Sequence, residues 1–352
     1  MPAKRFLMAG GGTGGHVIPG IAVARELRQR GHHVFFVGTS RGLESKLVPA
    51  AGFELRLIKI GGLNRVSATR KIATLARLPV TTLGCLADSA HAVFSMGGYV
   101  AGPPVLAALM RRRPVVVMEP NAIPGFTNRK IGRFVYRALL SFAEAAAYFK
   151  NGRSEVTGLP VREEFFRIPS KPRAGALNVL VTGGSQGSRA LNTAGRESWP
   201  ILRDSGVAVR LVHQTGPDDF DKMRTAFSAS GLEGEIVPFI HDMPAAFAAA
   251  DLVVCRAGAG AVSELAAAGR PSILVPFPFA ADDHQTYNAL ALERAGAAKL
   301  LRESYLTAAS LASTILDLAS LSLDEMAINA RALAKPGAAA RAADVLEEAA
   351  NA

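Results

Sequence analysis

Short apolar runs alternate with helical stretches along the whole chain. In the first half, the apolar runs are Phe6 to Ala9, Val34 to Val37, Leu55 to Ile60, Ala92 to Ser95 and Val115 to Met118. In the second half, they are Asn178 to Thr182, Val209 to His213, Glu235 to Phe239, Leu252 to Cys255 and Ser272 to Val275. Such alternation is typical of a parallel sheet covered by helices. We therefore predict an α/β chain with two doubly wound, Rossmann-like domains facing each other across a cleft.

The restart of this pattern predicts a domain boundary. A polar, proline-containing stretch follows Arg162 and is expected to be a linker. We predict a first domain over residues 1–162 and a second domain over residues 163–337. Pro336-Gly337 then interrupts the chain before an alanine-rich helical segment, Ala338 to Ala349. The pattern alone allows this helix to end the second domain or to return to the first.

Glycine-rich turns follow several of the predicted strands. They are Gly10 to His16, Ser95 to Gly102, Thr182 to Ser188 and Arg256 to Leu265. Glycine has no Cβ, so backbone N–H groups in such turns can approach a bound group closely, and a helix N-terminus behind the turn favours negative charge. In doubly wound sheets, ligands bind beyond the carboxyl ends of the strands, where these turns lie. The expected ligand is therefore a polyphosphate.

The first glycine turn also fits a dinucleotide-binding pattern, G-x-G-x-x-G, at Gly10, Gly12 and Gly15. An NAD(P) oxidoreductase is therefore the alternative function. Such enzymes need an acid after the second strand to bind ribose, whereas this chain has Gly38 to Arg41 there. Arg41 leaves only a phosphorylated cofactor open. A non-catalytic nucleic-acid- or lipid-binding protein is the second alternative.

The basic residues are concentrated in the first half. The formal net charge is +11, and residues 1–162 contain 23 Lys and Arg against 7 Asp and Glu. Between Arg65 and Leu86, helical spacing separates basic from apolar positions, namely Arg70 and Arg77 from Ile72, Leu75, Val80, Leu83 and Leu86. This segment predicts either a surface for anionic lipid or an ordinary core-facing helix. No apolar run reaches the roughly 18 residues that a membrane span needs.

Neither the cysteines nor the acids predict a metal site. Cys85 and Cys255 are far apart and fit no disulfide framework or zinc spacing, which favours a reducing cytoplasm. Asp219-Phe220-Asp221 is a literal D-x-D, but it begins a helical stretch, so we interpret it as a helix cap. We expect no metal cofactor.

Polar side chains suited to a nucleotide sugar follow the later strands. Glu264 lies in the first turns of a predicted helix, where an acid either complements the helix dipole or accepts hydrogen bonds from a ribose diol. Gln285 and Asn288 are three residues apart on one helix face, and their amides can both donate to and accept from sugar hydroxyls. Asp282 or Asp283 is expected to cap that helix.

Together these motifs resemble the MurG family of glycosyltransferases over nearly the whole chain. The matching segments are GGTGGHVIPGIAVA at 11–24, MGGYVAGP at 96–103, GGSQGSRALN at 183–192, CRAGAGAVSELAAAG at 255–269 and DDHQTYNA at 282–289. The resemblance implies a GT-B fold and metal-independent, inverting transfer of N-acetylglucosamine from UDP-N-acetylglucosamine to the C4 hydroxyl of N-acetylmuramic acid in lipid I. The product would be lipid II, used in peptidoglycan synthesis.

The same resemblance implies where the protein acts. The first domain would bind the acceptor and dock on the cytoplasmic face of the inner membrane, at an anionic lipid surface and without nucleic acid as a partner. The helix within residues 338–352 would return to that first domain. The second domain would bind UDP-N-acetylglucosamine.

Individual site residues also follow from the resemblance. Thr13, Gly14, Gly15 and Asn121 would line the cleft from the first domain. The nucleotide would be held by Arg162, Ser185, Ile240, Ala259, Gly260, Ala261, Val262, Ser263 and Glu264. Phe239 would cover the uracil, Glu264 would bind the ribose, and Gln285, with Asn288 beside it, would bind the sugar hydroxyls.

Transfer also needs a base for the acceptor's hydroxyl proton. His16 is the predicted base because the ordinary pKa of histidine lies near neutrality; its other possible role is to donate to the acceptor's diphosphate. Glu119 is the second candidate. The family commonly has His-Glu-Gln-Asn where this chain has Met118-Glu119-Pro120-Asn121. That difference argues against an essential imidazole or amide at positions 118 and 120.

Overall fold

The computed structural model describes residues 2–12, 14–61, 78–149, 152–170 and 175–352. The chain forms two compact units: unit 1 comprises Met1–Val161 with Lys335–Ala352, and unit 2 comprises Arg162–Ala334. Within the described residues, unit 1 contains a seven-stranded sheet and unit 2 a six-stranded sheet, with parallel neighbours throughout. The predicted α/β class with two doubly wound sheets is confirmed.

Unit 1 is built on a sheet in the order β3-β2-β1-β4-β5-β6-β7. Its strands are β1 (Arg5–Gly10), β2 (His33–Gly38), β3 (Glu54–Leu57), β4 (Ala92–Gly97), β5 (Val115–Glu119), β6 (Arg137–Leu140) and β7 (Ser154–Val156). The central strands β4 and β5 are buried along their whole length, which explains their continuous apolar sequence. The edge strands β3 and β7 are partly exposed.

Helices cover both faces of this sheet. They are α1 (Gly14–Gln29), α2 (Glu44–Ala50), α3 (Gly98–Met110) and α4 (Phe126–Ile131), and residues 78–85 are also helical. Short 3-10 helices lie at Gly132–Phe134 and Ala143–Tyr148. The basic and apolar positions predicted at Arg65, Arg70, Ile72, Leu75 and Arg77 lie outside the described residues. Among the residues that the structure does describe, no helix is long and apolar enough to cross a bilayer.

The helix at the end of the sequence, Ala338–Asn351, packs against α1 and is part of unit 1. Its apolar face, which includes Val345 and Leu346, is fully buried. At the rim, Arg30 contacts Asp344 at 2.6 Å and Glu347 at 2.8 Å. We call this element the C-terminal helix. Unit 1 is therefore assembled from two segments that are distant in the sequence.

Unit 2 has the strand order β10-β9-β8-β11-β12-β13. Its strands are β8 (Leu177–Thr182), β9 (Val209–Gln214), β10 (Glu233–Val237), β11 (Leu252–Cys255), β12 (Ser272–Leu274) and β13 (Ala298–Leu300). Its helices are α5 (Glu163–Phe166), α6 (Arg189–Asp204), α7 (Phe220–Ser228), α8 (Met243–Ala249), α9 (Ala259–Ala268), α10 (His284–Arg294), α11 (Ala308–Ala319) and α12 (Asp324–Ala332). Short 3-10 helices lie at Ala281–Asp283 and Glu303–Tyr305.

In each unit the candidate residues follow the carboxyl ends of central strands. In unit 1, the glycine turns and Glu119 lie where β1, β4 and β5 end. In unit 2, the corresponding loops follow β8, β11 and β12. Because parallel strands end at the same edge of a sheet, each fold brings its own set of candidate residues together.

Candidate active site

A buried acid holds the first glycine turn of unit 1. Gly12 has a φ angle of 89°, and its N–H donates to Oε2 of Glu44 at 2.8 Å. Oε1 of Glu44 accepts from the backbone N–H and the hydroxyl of Thr39, at 2.9 and 2.8 Å. Burial acts to raise the pKa of Glu44, but these donors outweigh it, and the pKa lies below its ordinary value. The Gly12 N–H is thus occupied by a side chain of the same unit.

His16 lies in the first turn of α1, beside the start of α3. Its Nδ1 is 3.4 Å from the carbonyl oxygen of Gly11. A Cβ atom added to Gly98, the first residue of α3, would lie 3.5 Å from the same Nδ1. The N-termini of two long helices therefore meet at one imidazole, an arrangement that favours an anionic group of a ligand. Gly14 and Gly15 belong to this first turn of α1, whereas Thr13 lies outside the described residues.

Glu119 is almost fully buried at the end of β5. Oε1 accepts from the N–H and the Nδ2 of Asn121, at 3.0 and 3.2 Å. Oε2 accepts from the N–H of Gly125 at 3.2 Å and from Nδ2 of Asn128 at 2.8 Å. Burial raises the pKa of Glu119 to about 7, although these donors lower it. The carboxylate thus fixes the loop that contains Asn121. Sequence reasoning missed Asn128, which is buried and gave no motif of its own.

The second unit places its own glycine turn against a neighbouring loop. The loop after β8 includes Ser185, which is exposed at its tip, and ends at Ser188, the N-cap of α6. Gly187 has a φ angle of 74°, and a Cβ atom there would overlap the carbonyl of Thr215. Only glycine allows this close approach, so the turn is packed rigidly with its N–H groups next to the start of α6.

Gln214 connects this turn to the predicted uracil site. It is buried at the end of β9, where its Nε2 donates to the carbonyl of Gly184 at 2.8 Å. Its Oε1 accepts from the N–H of Ile240 at 2.9 Å. Phe239, beside Ile240, is 45% exposed, and both residues border a groove of about 630 Å³ floored by β8, β9 and β10. Sequence reasoning missed Gln214 because a buried glutamine at a strand end has no distinctive spacing.

The structure brings Arg162 and Glu264 together. Arg162 Nη2 lies 3.6 Å from Glu264 Oε1, and the two side chains are 48% and 29% exposed. Burial raises the pKa of Glu264 to about 7, while Arg162 lowers it. Glu264 follows the first turn of α9, whose N-cap, Gly258, has no side-chain cap. The first N–H groups of α9, from Ala259 to Ala261, are therefore suited to bind an anion.

Arg256 connects the loops after three strands of unit 2. Its Nη2 donates to Oγ of Ser188 at 2.7 Å, and its Nη1 donates to the carbonyl of Val275 at 3.2 Å. It also pairs with Glu303 at 2.5 Å and lies 5.5 Å from the ring centroid of Phe277. Arg256 belongs to the motif at 255–269, but the motif predicted no role for it. Its contacts hold the candidate diphosphate loops in place.

Gln285 and Asn288 face different partners at the start of α10. Oε1 of Gln285 accepts from the N–H of Phe277 at 2.9 Å, which leaves its Nε2 as the group that could donate to a ligand. Asn288 is fully buried, and its Nδ2 donates to the carbonyl of Ala257 at 3.1 Å. Asn288 therefore stabilises the loop before α9 through a buried hydrogen bond.

Asp219 and Asp283 stand at the predicted N-cap positions of α7 and α10, but neither side chain makes a capping hydrogen bond. The side chain of Asp219 makes no cap; its Oδ2 accepts from Nδ2 of Asn192 at 2.7 Å. Asp221 pairs with Arg224 at 3.3 Å. Asp283 precedes α10 without a capping bond and accepts instead from the Thr286 hydroxyl at 2.7 Å. In each case a nearby side-chain donor replaces the helix N–H.

Across the described ranges, no group of three or more His, Cys, Asp or Glu side chains could hold a metal ion.

Comparisons with known proteins identify the family of both halves of the chain. The model for the glycosyltransferase family 28 N-terminal domain matches residues 6–140, and that for the C-terminal domain matches residues 178–347. A relative from Solibacter usitatus is 67% identical over 99% of this chain and 97% of its own length. One from Syntrophus aciditrophicus is 43% identical over 88% of each chain. Both are named UDP-N-acetylglucosamine--N-acetylmuramyl-(pentapeptide) pyrophosphoryl-undecaprenol N-acetylglucosamine transferase.

Solved structures show the same architecture. The crystal structure of Acinetobacter baumannii MurG has a TM-score of 0.83 and 34% identity, covering 98% of this chain and 99% of that chain. A calicheamicin glycosyltransferase has a TM-score of 0.70 at 20% identity, covering 100% and 99%, and supports the fold alone.

The fold and the site define a glycosyltransferase with the GT-B architecture. The chain belongs to glycosyltransferase family 28, and within that family to the MurG transferases. The family expected from the sequence motifs is confirmed.

Proposed function

We propose that the chain transfers N-acetylglucosamine from UDP-N-acetylglucosamine to the C4 hydroxyl of N-acetylmuramic acid in lipid I, forming lipid II. The observation that supports this most directly is the 67% identity to the Solibacter usitatus transferase, whose name describes this reaction, over nearly the full length of both chains. The oxidoreductase alternative is disfavoured because the Gly12 N–H, which a dinucleotide phosphate would need, donates to Glu44. The nucleic-acid-binding alternative does not explain the loops of unit 2.

The donor would be bound by unit 2. The N–H groups at the starts of α6 and α9 would receive the diphosphate, and Glu264 would accept hydrogen bonds from the ribose diol. Phe239 would cover the uracil, and the N–H of Ile240, fixed by Gln214, would stand beside it. Gln285 would donate to a hydroxyl of the sugar. These assignments are supported by the positions of the groups around the two helix starts.

The acceptor would be bound by unit 1. The starts of α1 and α3 beside His16 favour the acceptor's diphosphate. His16, which is half-buried, is better placed than the enclosed Glu119 to take a proton from a substrate. Glu119 would instead position Asn121 toward the acceptor. The polar role of the loop is thus retained although this chain has Met118 and Pro120.

The reaction then needs one proton transfer and one displacement. The C4 hydroxyl oxygen attacks C1 of N-acetylglucosamine from the side opposite UDP, and the bond between C1 and the phosphate oxygen breaks with its electron pair on UDP. The hydroxyl proton passes to His16, a step that typically contributes 10²- to 10⁴-fold to the rate. The charge on UDP is stabilised by backbone N–H groups, and we propose that no metal is needed.

Unit 1 would dock on the inner, cytoplasmic face of the membrane as a peripheral protein. Phe126 and Phe134 are each 53% exposed, with Lys130 and Arg133 stacked near their rings at 5.6 and 4.5 Å. We call residues 126–134 the Phe126–Phe134 surface. Exposed aromatic rings beside basic side chains favour the interface of an anionic bilayer.

The test is a direct transfer assay with radiolabelled UDP-N-acetylglucosamine and lipid I, with and without EDTA. We expect labelled lipid II in both reactions and none with heat-inactivated protein. Absence of the labelled product from the active protein would contradict the proposed function. A product formed only after Mn²⁺ is added back would contradict metal-independent transfer alone.

A further inference from the structure

Glu44 and His16 contact opposite ends of one peptide group. The N–H of Gly12 donates to Oε2 of Glu44 at 2.8 Å. The carbonyl oxygen of Gly11, which belongs to the same peptide group, lies 3.4 Å from Nδ1 of His16. Because a trans peptide group is planar, its N–H and C=O point in opposite directions. Fixing the N–H therefore fixes the direction in which the carbonyl faces the imidazole.

Glu44 is itself held firmly enough to act in this way. Its side chain is fully buried, and Oε1 accepts both the N–H and the hydroxyl of Thr39. Glycines surround it: a Cβ atom on Gly11 would lie 2.5 Å from Oε1, and one on Gly38 would lie 2.6 Å from Cγ. The backbone thus leaves room for this carboxyl group and keeps it in one position.

We propose that Glu44 is a positioning residue for the transfer reaction, acting on His16 through the Gly11–Gly12 peptide group. By orienting the Gly11 carbonyl, Glu44 keeps the proton of neutral His16 on Nδ1 and makes Nε2 the nitrogen that accepts the acceptor's hydroxyl proton. Its negative charge also stabilises the imidazolium that forms. This inference rests on the proposed function and adds to it the residue that selects the tautomer of the base.

A double-mutant cycle tests the coupling. Glu44→Gln keeps the shape of the side chain but removes the charge and one of the acceptor oxygens. We expect kcat to fall about tenfold with the KM for UDP-N-acetylglucosamine unchanged, because the donor is bound by unit 2. His16→Ala should lower kcat at least as much, and adding Glu44→Gln to it should cause no further loss. Glu54→Gln, an exposed acid of the same unit, is the control and should leave both constants unchanged.

The pH profile separates positioning from a purely structural role. A neighbouring carboxylate raises the pKa of an imidazole, so Glu44→Gln should move the acidic limb of kcat/KM to lower pH. If Glu44→Gln only loosened the loop, the plateau value of kcat/KM would fall, but the acidic limb of the pH profile would not move. A loss that persists in the His16→Ala background, or an unmoved limb, would overturn the proposal.

A second measurement needs neither a variant nor activity. We expect the ¹⁵N spectrum of the wild-type protein, recorded at a pH above the pKa of His16, to show the His16 imidazole as the Nδ1-protonated tautomer. The Nε2-protonated tautomer would overturn the proposal even if Glu44→Gln failed to fold. Wild-type transfer of labelled sugar, measured in the same preparation, decides the proposed function separately. If the wild-type protein were active but its His16 were protonated on Nε2, only the proposal for Glu44 would be rejected, and the proposed function would stand.

Discussion

At the residue scale, three acids near strand ends show how burial and donors divide their roles. Glu44 and Glu119 each accept several hydrogen bonds, yet the pKa of Glu44 is lowered and that of Glu119 is raised to about 7. Burial outweighs the donors at Glu119 but not at Glu44. Glu264 also has a pKa of about 7, but it faces one partly exposed arginine, Arg162, instead of a ring of backbone N–H groups. Glu264 can therefore accept hydrogen bonds from a ligand, whereas the carboxylate oxygens of Glu44 and Glu119 accept hydrogen bonds from within the fold.

Glu264→Gln should weaken donor binding and stabilise the fold. The KM for UDP-N-acetylglucosamine should rise about tenfold, because a neutral amide accepts hydrogen bonds from the ribose hydroxyls less strongly than a carboxylate does. In the wild type, donor affinity should fall as pH drops through about 7, where Glu264 gains its proton. Steady-state kinetics from pH 6 to 8.5 measure both effects.

The stability effect has a defined sign. The folded pKa of about 7 lies above the ordinary glutamate pKa of 4.5, so the contribution of Glu264 to stability is present at low pH and is lost as pH rises through 7. Glu264→Gln should therefore raise the free energy of unfolding by roughly 1–2 kcal/mol at pH 8, and by less at pH 5. Urea denaturation measures it, with the exposed Glu233→Gln as control. Equal stability of wild type and Glu264→Gln at pH 8, with unchanged KM, would remove Glu264 from the donor site.

At the element scale, the sequence pattern predicted ten of the thirteen described strands, including the partly exposed edge strands β3 and β10. Central strands such as β4 and β5 are continuous apolar runs, so both were found. The prediction was wrong in omitting β6, β7 and β13, because these strands have only three or four residues, among them Arg137, Ser154 and Lys299, and so form no long apolar run. The motif loops were found because their glycines are visible in the sequence.

The site residues that were missed share a different property. Gln214, Asn128 and Arg256 act through contacts with residues 9 to 68 positions away in the sequence. No local spacing reports such a contact. Arg162 and Glu264 were expected at the nucleotide only through the family resemblance, and their pairing was not predicted. Sequence motifs therefore indicate candidate ligand-binding groups, but they do not report the groups that hold those candidates in place.

The C-terminal helix supports a prediction at this scale. Leu346 is fully buried against unit 1, so Leu346→Ala should lower the free energy of unfolding by about 2–5 kcal/mol. Glu348→Ala, on the exposed face of the same helix, removes only a surface pair with Arg341 and should cost about 0–1 kcal/mol. Hydrogen exchange should show lost protection in β1 and β4 and retained protection in β8 and β11. Equal losses in both sheets would contradict the assignment of this helix to unit 1.

At the scale of the whole molecule, charge and apolar surface coincide on one part of unit 1. Residues 1–162 contain 23 Lys and Arg against 7 Asp and Glu. Exposed basic side chains such as Arg133 stand beside the exposed rings of Phe126 and Phe134. Basic residues alone would bind anions without preference, and exposed rings alone would favour any apolar partner. Their combination favours an anionic membrane surface, which is where a lipid-linked acceptor would be found.

Reversing the charge of Arg129, Lys130 and Arg133 to Glu should release the protein from anionic vesicles. Each basic residue near such a surface contributes about 1 kcal/mol, so the triple variant should bind roughly a hundredfold more weakly. The same reversal at Arg210, Lys222 and Arg224, which are exposed on unit 2, should change binding little. Cosedimentation with vesicles containing 30% phosphatidylglycerol, at two salt concentrations, measures the difference, and neutral phosphatidylcholine vesicles provide the baseline. If both triple variants lost affinity equally, long-range net charge would explain binding, and the Phe126–Phe134 surface would not be the docking site.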